Sequence, residues 1–250
     1  MAVYRSRGIV LRSIRYGEAD RILDLYTTDR GLVSAIVKGI RRTKSRFGAR
    51  LEPLSCVEFL AYEGRSLDTL TQSETLRSFK GVREDLSRFE TAARMVGYVR
   101  ALSGGDEADR RVFNLLFHAL DLLEKENSDN FGPLEAAFGI KLSILAGYAP
   151  QFDLCAICEG DPEAYGPERP ARFAPDLGGV VCAECAVASR DSFALPPGSP
   201  GALLHLVRSP LREAERSEAS EGVLLRVVRT HVAANAPSGS AVGVASRDAV

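Results

Sequence analysis

No stretch of the chain reaches the roughly 18 consecutive apolar residues that a membrane span needs, so no membrane helix is expected. The N-terminus, Met1-Ala-Val-Tyr-Arg-Ser-Arg-Gly-Ile-Val-Leu-Arg, interrupts its short apolar segment with arginines and has no small-residue cleavage site. No secretory signal is expected from it, and the expected compartment is the cytoplasm. The usual signatures of chemistry are missing as well. The chain has no G-x-x-x-x-G-K-[ST], no G-x-G-x-x-G, no H-E-x-x-H and no G-x-S-x-G. Its three histidines, His118, His205 and His231, fall in helical stretches without a partner at metal-ligand spacing. Acidic residues are scattered and form no metal-binding cluster. These absences argue against an enzyme.

A further absence is local. Between Arg30 and Leu51 there is no acidic residue, whereas Arg30, Lys38, Arg41, Arg42, Lys44, Arg46 and Arg50 all lie within or bound that interval. The formal net charge of −1 hides this asymmetry. Residues 1–80 hold 15 Lys and Arg against 9 Asp and Glu, a net +6, and the remaining residues hold 17 against 24, a net −7. A basic head on an acidic body points to a polyanion partner for the head. Gly39 and Gly48 permit close backbone approach, and the cations release counterions from phosphates. Phe47 has two open roles: stacking on an unpaired base or capping a hydrophobic core.

The first eighty residues read as strands. Gly8–Ser13, Arg21–Thr27, Leu32–Lys38, Val57–Tyr62 and Leu67–Thr71 are separated by the turns Tyr16–Asp20, Thr28–Gly31 and Glu63–Arg65, with a longer connection after the third. This pattern predicts a five-stranded barrel of the OB type, although periodicity alone does not separate it from an SH3-like barrel. From Val82 the period becomes helical, through Leu86, Phe89, Ala93 and Val96. Further helices are predicted over about Glu107–Lys125, from near Pro133 to Gly147, near Ala202–Val207 and over Glu221–Ala234. The fold class is α+β. A barrel domain spans 1–80, a mainly α-helical domain spans 81–150 and 187–235, a four-cysteine zinc module is inserted at 151–186, and a Ser/Gly/Ala-rich disordered tail covers 236–250.

Cys155-Ala-Ile-Cys158 and Cys182-Ala-Glu-Cys185 form two C-x2-C knuckles whose 23-residue spacer is rich in Pro and Gly. Two such turns complete a tetrahedral four-thiolate site with no coordination position left for water, so the ion is expected to be structural. Zinc fits the donor set best, with an iron–sulfur cluster or paired disulfides as the alternatives. Cys56, beside a strand, reads as a small core residue.

The residues also resemble a known family. Gly8-Ile-Val-Leu-Arg-Ser, Tyr16-Gly-Glu-Ala-Asp-Arg21, Thr28-Asp-Arg-Gly31 and Lys38-Gly-Ile-Arg-Arg-Thr-Lys-Ser-Arg46 look like the N-terminal half of the DNA repair protein RecO family. Phe138-Gly-Ile-Lys-Leu142, Gly147-Tyr-Ala-Pro150, Phe173-Ala-Pro175 and Gly178-Gly-Val-Val-Cys182 resemble its later segments, in order, over about residues 4–190. The resemblance implies an OB domain, a helical body with a zinc module holding one Zn2+ on Cys155, Cys158, Cys182 and Cys185, and a recombination mediator. It implies binding of single- and double-stranded DNA and annealing of strands coated by single-strand-binding protein. It further implies loading of RecA with the help of RecR. The DNA-contacting loop matches Lys38, Arg41, Arg42, Lys44, Arg46 and Arg50. Two departures stand out: Glu159 separates Cys158 from Gly160, and the basic ending of the family gives way after His231 to residues 236–250. An RNA-binding OB protein with a structural zinc site, or a nuclease clamped by its zinc domain, are the competing readings.

Overall fold

The computed structural model describes residues 2–42, 45, 47, 50–104, 108–126, 128 and 130–237. The described residues fall into two compact units, one from Met1–Val96 and Ser103–Asn127, the other from Gly97–Leu102 and Ser128–Val250.

Five strands of the first unit close into a barrel: β1 (Val3–Tyr16), β2 (Asp20–Thr27), β3 (Gly31–Val37), β4 (Cys56–Tyr62) and β5 (Asp68–Arg77). Around the barrel the order is β1-β2-β3-β5-β4; every pair is antiparallel except β3 with β5, where Ala35 and Ile36 face Asp68 and Thr69. One long strand makes closure possible. The first half of β1 pairs with β4 through Val3–Ile9 and its second half pairs with β2 through Gly8–Tyr16. The register slips between Val10 and Arg12, so Leu11 is the extra residue of a bulge that bends the strand from one neighbour to the other. Inward-facing Val10, Leu23, Leu25, Val57 and Phe59 form the core.

β1 starts earlier and ends later than the apolar run Gly8–Ser13 suggests, and β5 continues six residues past the predicted Thr71 to Arg77. The cause is the same in both. Arg5, Arg7, Gln72 and Glu74 point to solvent, so these segments lack the apolar alternation that marks a half-buried strand.

The helices of this unit are α1 (Lys80–Glu84), the beginning of α2 (Leu86–Leu102) and α3 (Arg110–Lys125). A single helical stripe through Val82, Leu86, Phe89, Ala93 and Val96 is not what forms. Asp85 adopts an extended conformation, ends α1, and caps α2 by accepting from Arg88 N at 2.9 Å. The period restarts there. Ala92, Met95, Val96 and Val99 turn inward, while Leu86 is 74% exposed and Phe89 and Ala93 also face solvent. Helix α3 packs on the barrel. The Tyr26 hydroxyl donates to Asp109 O at 3.3 Å, the Arg77 guanidinium bridges Asp121 (3.1 Å) and Glu124 (2.9 Å), and Phe79 meets Phe117 edge-on at 5.4 Å. Arg88 completes the seat by donating to the Glu124 and Glu126 carbonyls at the C-terminal end of α3, where the helix dipole favours a cation.

In the second unit α4 (Gly132–Leu145) is buried along almost its whole length and packs against α5 (Ser199–Arg208) and α6 (Glu221–Asn235). Its fully buried Glu135 accepts from the Tyr98 hydroxyl at 2.6 Å and pairs with Arg229 of α6 at 3.3 Å. A three-stranded sheet, β6 (Arg172–Ala174), β7 (Gly179–Val181) and β8 (Phe193–Ala194), with order β7-β6-β8, lies between α4 and α5 in the chain. Phe152, Phe173 and Phe193 form its apolar centre, with ring centroids 6.1 and 5.7 Å apart, and the His231 ring of α6 packs on Phe173. No helix among the described residues is long and apolar enough to cross a membrane.

Candidate nucleic-acid interface and metal centre

The loop that follows β3 is described at residues 38–42, 45, 47, 50 and 51. Three of its apolar side chains, Ile40, Phe47 and Leu51, are buried in the barrel core cluster. Phe47, 3% exposed, therefore caps the core and offers no face to a base. Lys38, Arg41, Arg42 and Arg50 are all exposed, whereas Lys44 and Arg46 lie outside the described residues.

The loop is tied at its start. Gly39 takes φ +68°, a left-handed conformation that glycine adopts without strain, and its N–H donates to the Asp20 carboxylate at 2.7 Å. Arg41 N donates to Ala19 O at 3.0 Å and Arg41 Nη1 to Glu18 O at 2.9 Å. These bonds fasten the loop to the β1–β2 turn. They also bring it to the end of β1, where Arg15 is exposed and Tyr16 is 53% exposed, residues that the sequence does not associate with it. Their signal was present only as an Arg and a Tyr just before a turn; the register Arg15–Arg21–Val37 is what sets them near the start of the loop. Arg15 stands opposite Arg21 in the ladder. Arg21 is in turn held by Glu52 at 3.8 Å and by Ser13 Oγ at 3.3 Å.

The cysteine knuckles converge. One sulfur from each of Cys155, Cys158, Cys182 and Cys185 lies within 4.8 Å of every other, and Cys158 Sγ is 4.0 Å from Cys182 Sγ. The local chain explains the convergence. Residues after Gln151 run beside β7, with Gln151 N donating to Gly178 O (3.0 Å), Val180 N to Gln151 O (2.8 Å) and Ala156 N to Val180 O (2.8 Å). A Cβ on Gly179 would lie 2.6 Å from Gln151 O, so only glycine admits this approach. Burial works against a Cys155 thiolate, but backbone N–H groups of Cys158, Cys182 and Ile157 outweigh it and bring the thiol down to about 6. The neighbouring Cys182 sulfur, followed by burial, pushes Cys185 up to about 12. Four soft donors packed this closely can hold a metal ion.

Glu159, the departure noted in the sequence, takes φ +58°. Around it Cys155 N donates to Gly160 O at 2.9 Å and Glu159 N to Cys155 O at 3.0 Å, so the turn closes and the sulfur cluster survives. Cys56 is apart from the cluster, buried in the first unit, and burial pushes its thiol up to about 11. A thiol in that state is a small core residue rather than a nucleophile.

The family model described as "Recombination protein O N terminal" matches residues 1–79, and that described as "Recombination protein O C terminal" matches residues 83–235. The chain belongs to the recombination protein O family. A DNA repair protein RecO from Rubrobacter xylanophilus is 60% identical over 243 residues, which is 97% of this chain and 96% of the relative. Proteins of the same name from a Nocardioides species and from Heliobacterium modesticaldum are 42% and 35% identical, over 74% and 91% of this chain and 75% and 82% of theirs. The family is named for recombination and repair, not for a catalysed reaction. This agrees with the missing catalytic motifs.

Proposed function

We infer that the chain binds DNA and anneals complementary strands in recombinational repair. Membership of the recombination protein O family supports the repair setting. The observation that carries the step to nucleic acid is the row of exposed cations Lys38, Arg41, Arg42 and Arg50 on a loop anchored in the core by Ile40, Phe47 and Leu51. Lys44 and Arg46 belong to the same acid-free interval in the sequence and lie outside the described residues. Such a surface neutralises backbone phosphates of single- and double-stranded DNA alike. The order β1-β2-β3-β5-β4 with β3 parallel to β5 supports reading the barrel as an OB fold, whose binding face is the β2–β3 surface with the β1–β2 and β4–β5 loops. The loop after β3 is bonded to that β1–β2 turn.

Annealing in this reading is electrostatic. Two single strands repel each other, cations on the protein offset that repulsion, and duplex formation supplies the driving free energy. No nucleotide hydrolysis and no catalytic residue is needed. The substrates are strands coated by single-strand-binding protein, and RecR is the partner with which the chain assists RecA loading in the cytoplasm. Residues 1–80 serve as the DNA-binding domain, 81–150 and 187–235 as the helical body, 151–186 as the metal insertion and 236–250 as a tail.

The four cysteines would hold one Zn2+. A zinc–sulfur distance of about 2.3 Å gives a tetrahedral site with sulfur edges of about 3.8 Å. The 4.0 Å between Cys158 and Cys182 and the 4.8 Å bound on the whole set fit that size. With four protein ligands the ion supplies rigidity to the module and leaves no position for water.

The salt dependence of single-strand binding tests the loop. Replacing Arg41 and Arg42 together by Ala is expected to flatten the log–log slope by about 0.7 for each lost phosphate contact. An unchanged slope removes the loop from the binding surface. Competition between DNA and RNA of matched sequence tests the repair setting, and a clear RNA preference contradicts it.

A further inference from the structure

Four guanidinium groups gather on another face of the first unit. A groove of about 900 Å³ runs between α3 and the outer surface of β1, β4 and β5. Arg5 and Arg7 from the first half of β1, Arg77 from the end of β5 and Arg110 from the first position of α3 line it. Its apolar floor includes Leu76 and the half-buried ring of Phe117, and the exposed imidazole of His118 stands beside that ring. Among the described residues two carboxylates, Asp29 and Glu58, share the lining, which gives those residues a net charge of +2.

The pairing of these charges matters. Arg77 is committed to Asp121 and Glu124. Glu58 is divided between Arg5 at 3.3 Å and Arg7 at 3.5 Å, two exposed guanidiniums that share one carboxylate. Asp29 is held by the Ser6 and Thr28 hydroxyls. Arg5, Arg7 and Arg110 are therefore the cations available to a ligand phosphate. Exposed ion pairs of the Glu58 kind are weak, and a phosphate can take over an arginine from them at little cost.

This face is separate from the loop. Arg7 and Arg15 are eight residues apart on β1, at most roughly 26 Å along the strand, and the bulge at Leu11 turns them toward different neighbours. One strand thus carries a cationic surface near each end. Annealing needs such an arrangement, because two strands must be held by the same molecule without sharing one set of cations.

We propose that the groove between α3 and β1, β4 and β5 is a second single-stranded nucleic-acid subsite, in which Arg5, Arg7 and Arg110 contact backbone phosphates and an unpaired base stacks on the exposed ring of His118, with the edge of Phe117 beside it. The proposal rests on the DNA-annealing reading above. Charge complementarity selects an anionic ligand. The exposed ring of His118 selects a nucleic acid over an acidic peptide, since every base presents a π-face that stacks without sequence preference.

The test uses the full-length protein, with oligothymidylate as probe, and reads stoichiometry by native mass spectrometry and calorimetry. The wild type is expected to bind two oligonucleotides per chain. An Arg5→Ala/Arg7→Ala/Arg110→Ala variant is expected to bind one, with a total salt slope flatter by about 2, and to anneal at least about tenfold more slowly. A variant that still binds two and anneals normally overturns the groove. A wild type that binds one oligonucleotide, lost on Arg41→Ala/Arg42→Ala, also overturns the groove but leaves the loop reading intact. A wild type that binds none overturns both. Photo-crosslinking with 5-iodouracil gives an independent readout on the unmutated protein. Adducts within Arg110–His118 support the subsite, and adducts confined to the loop and the β1–β2 turn contradict it. Protection of the same segment by an acidic peptide but not by oligothymidylate assigns the groove to a peptide and likewise overturns the proposal.

Discussion

Arg15 on β1 and Arg21 on β2 occupy directly opposite positions in the antiparallel ladder. Like charges so placed destabilise a strand pair, by roughly 0.2–1 kcal/mol. Glu52 and Ser13 hold the Arg21 side, and Arg15 remains exposed beside the loop that carries Arg41 and Arg42. Arg15→Glu turns the repulsion into an ion pair. The protein is expected to gain a few tenths of a kcal/mol in denaturant melts, and single-strand affinity is expected to fall at the same time. Stability and binding moving together would show that the pair plays no part in the DNA surface.

Phe47 separates a structural from a stacking role within the loop. Its ring is buried with Ile40 and Leu51 in the barrel core, so Phe47→Ala is expected to cost about 3–5 kcal/mol. Phe47→Leu keeps most of the volume and removes the ring. It is expected to leave single-strand affinity within about twofold, because no base stacks there. A large loss of affinity in a stable Leu variant would return Phe47 to the binding surface.

Metal content is measured by elemental analysis. About one zinc per chain is expected. Cys155→Ser with Cys158→Ser is expected to remove it and to lower the melting temperature. Full stability with no bound metal in the wild type contradicts a structural four-thiolate site.

His231 predicts a pH effect. Its Nε2–H donates to Tyr148 O at 2.8 Å, Nδ1 is buried without a partner, and burial holds its pKa below the ordinary value. The folded state therefore binds the proton less readily than the unfolded one. The contribution of this group to stability is complete above about pH 6.5 and is lost as pH falls from there through the lowered folded value. Melts at pH 7.5 and 5.5 of the wild type and of His231→Gln check it. The wild type is expected to lose more stability on acidification than the variant, and equal losses would contradict the assignment.

Legibility followed the local character of each signal. Strands β2, β3 and β4 were readable because one face alternates into the core and turn residues bound them. The far ends of β1 and β5 were not, since Arg5, Arg7, Gln72 and Glu74 face solvent and remove the alternation. The α2 stripe was misplaced because Asp85 breaks the helix and resets its phase. The cysteines were readable because two ligands three residues apart already define a knuckle; that the knuckles meet depends on the approach of Gln151 to Gly179. Arg15 and Tyr16 were missed for the opposite reason. Their position beside the loop comes from hydrogen bonds between residues about twenty positions apart, such as Arg41 N to Ala19 O, and composition carries no trace of that pairing. The buried triad of Tyr98, Glu135 and Arg229 was equally silent, since Glu135 reads as one more surface acid until α6 supplies its partner.

The measurement that bears most directly on the account is annealing of complementary strands pre-coated with the cognate single-strand-binding protein. The wild type is expected to anneal them without a nucleotide cofactor, and Arg41→Ala/Arg42→Ala is expected to slow the reaction by about tenfold or more at moderate salt. Wild-type protein that leaves the coated strands single, or a loop variant that anneals at the wild-type rate, would contradict the central claim.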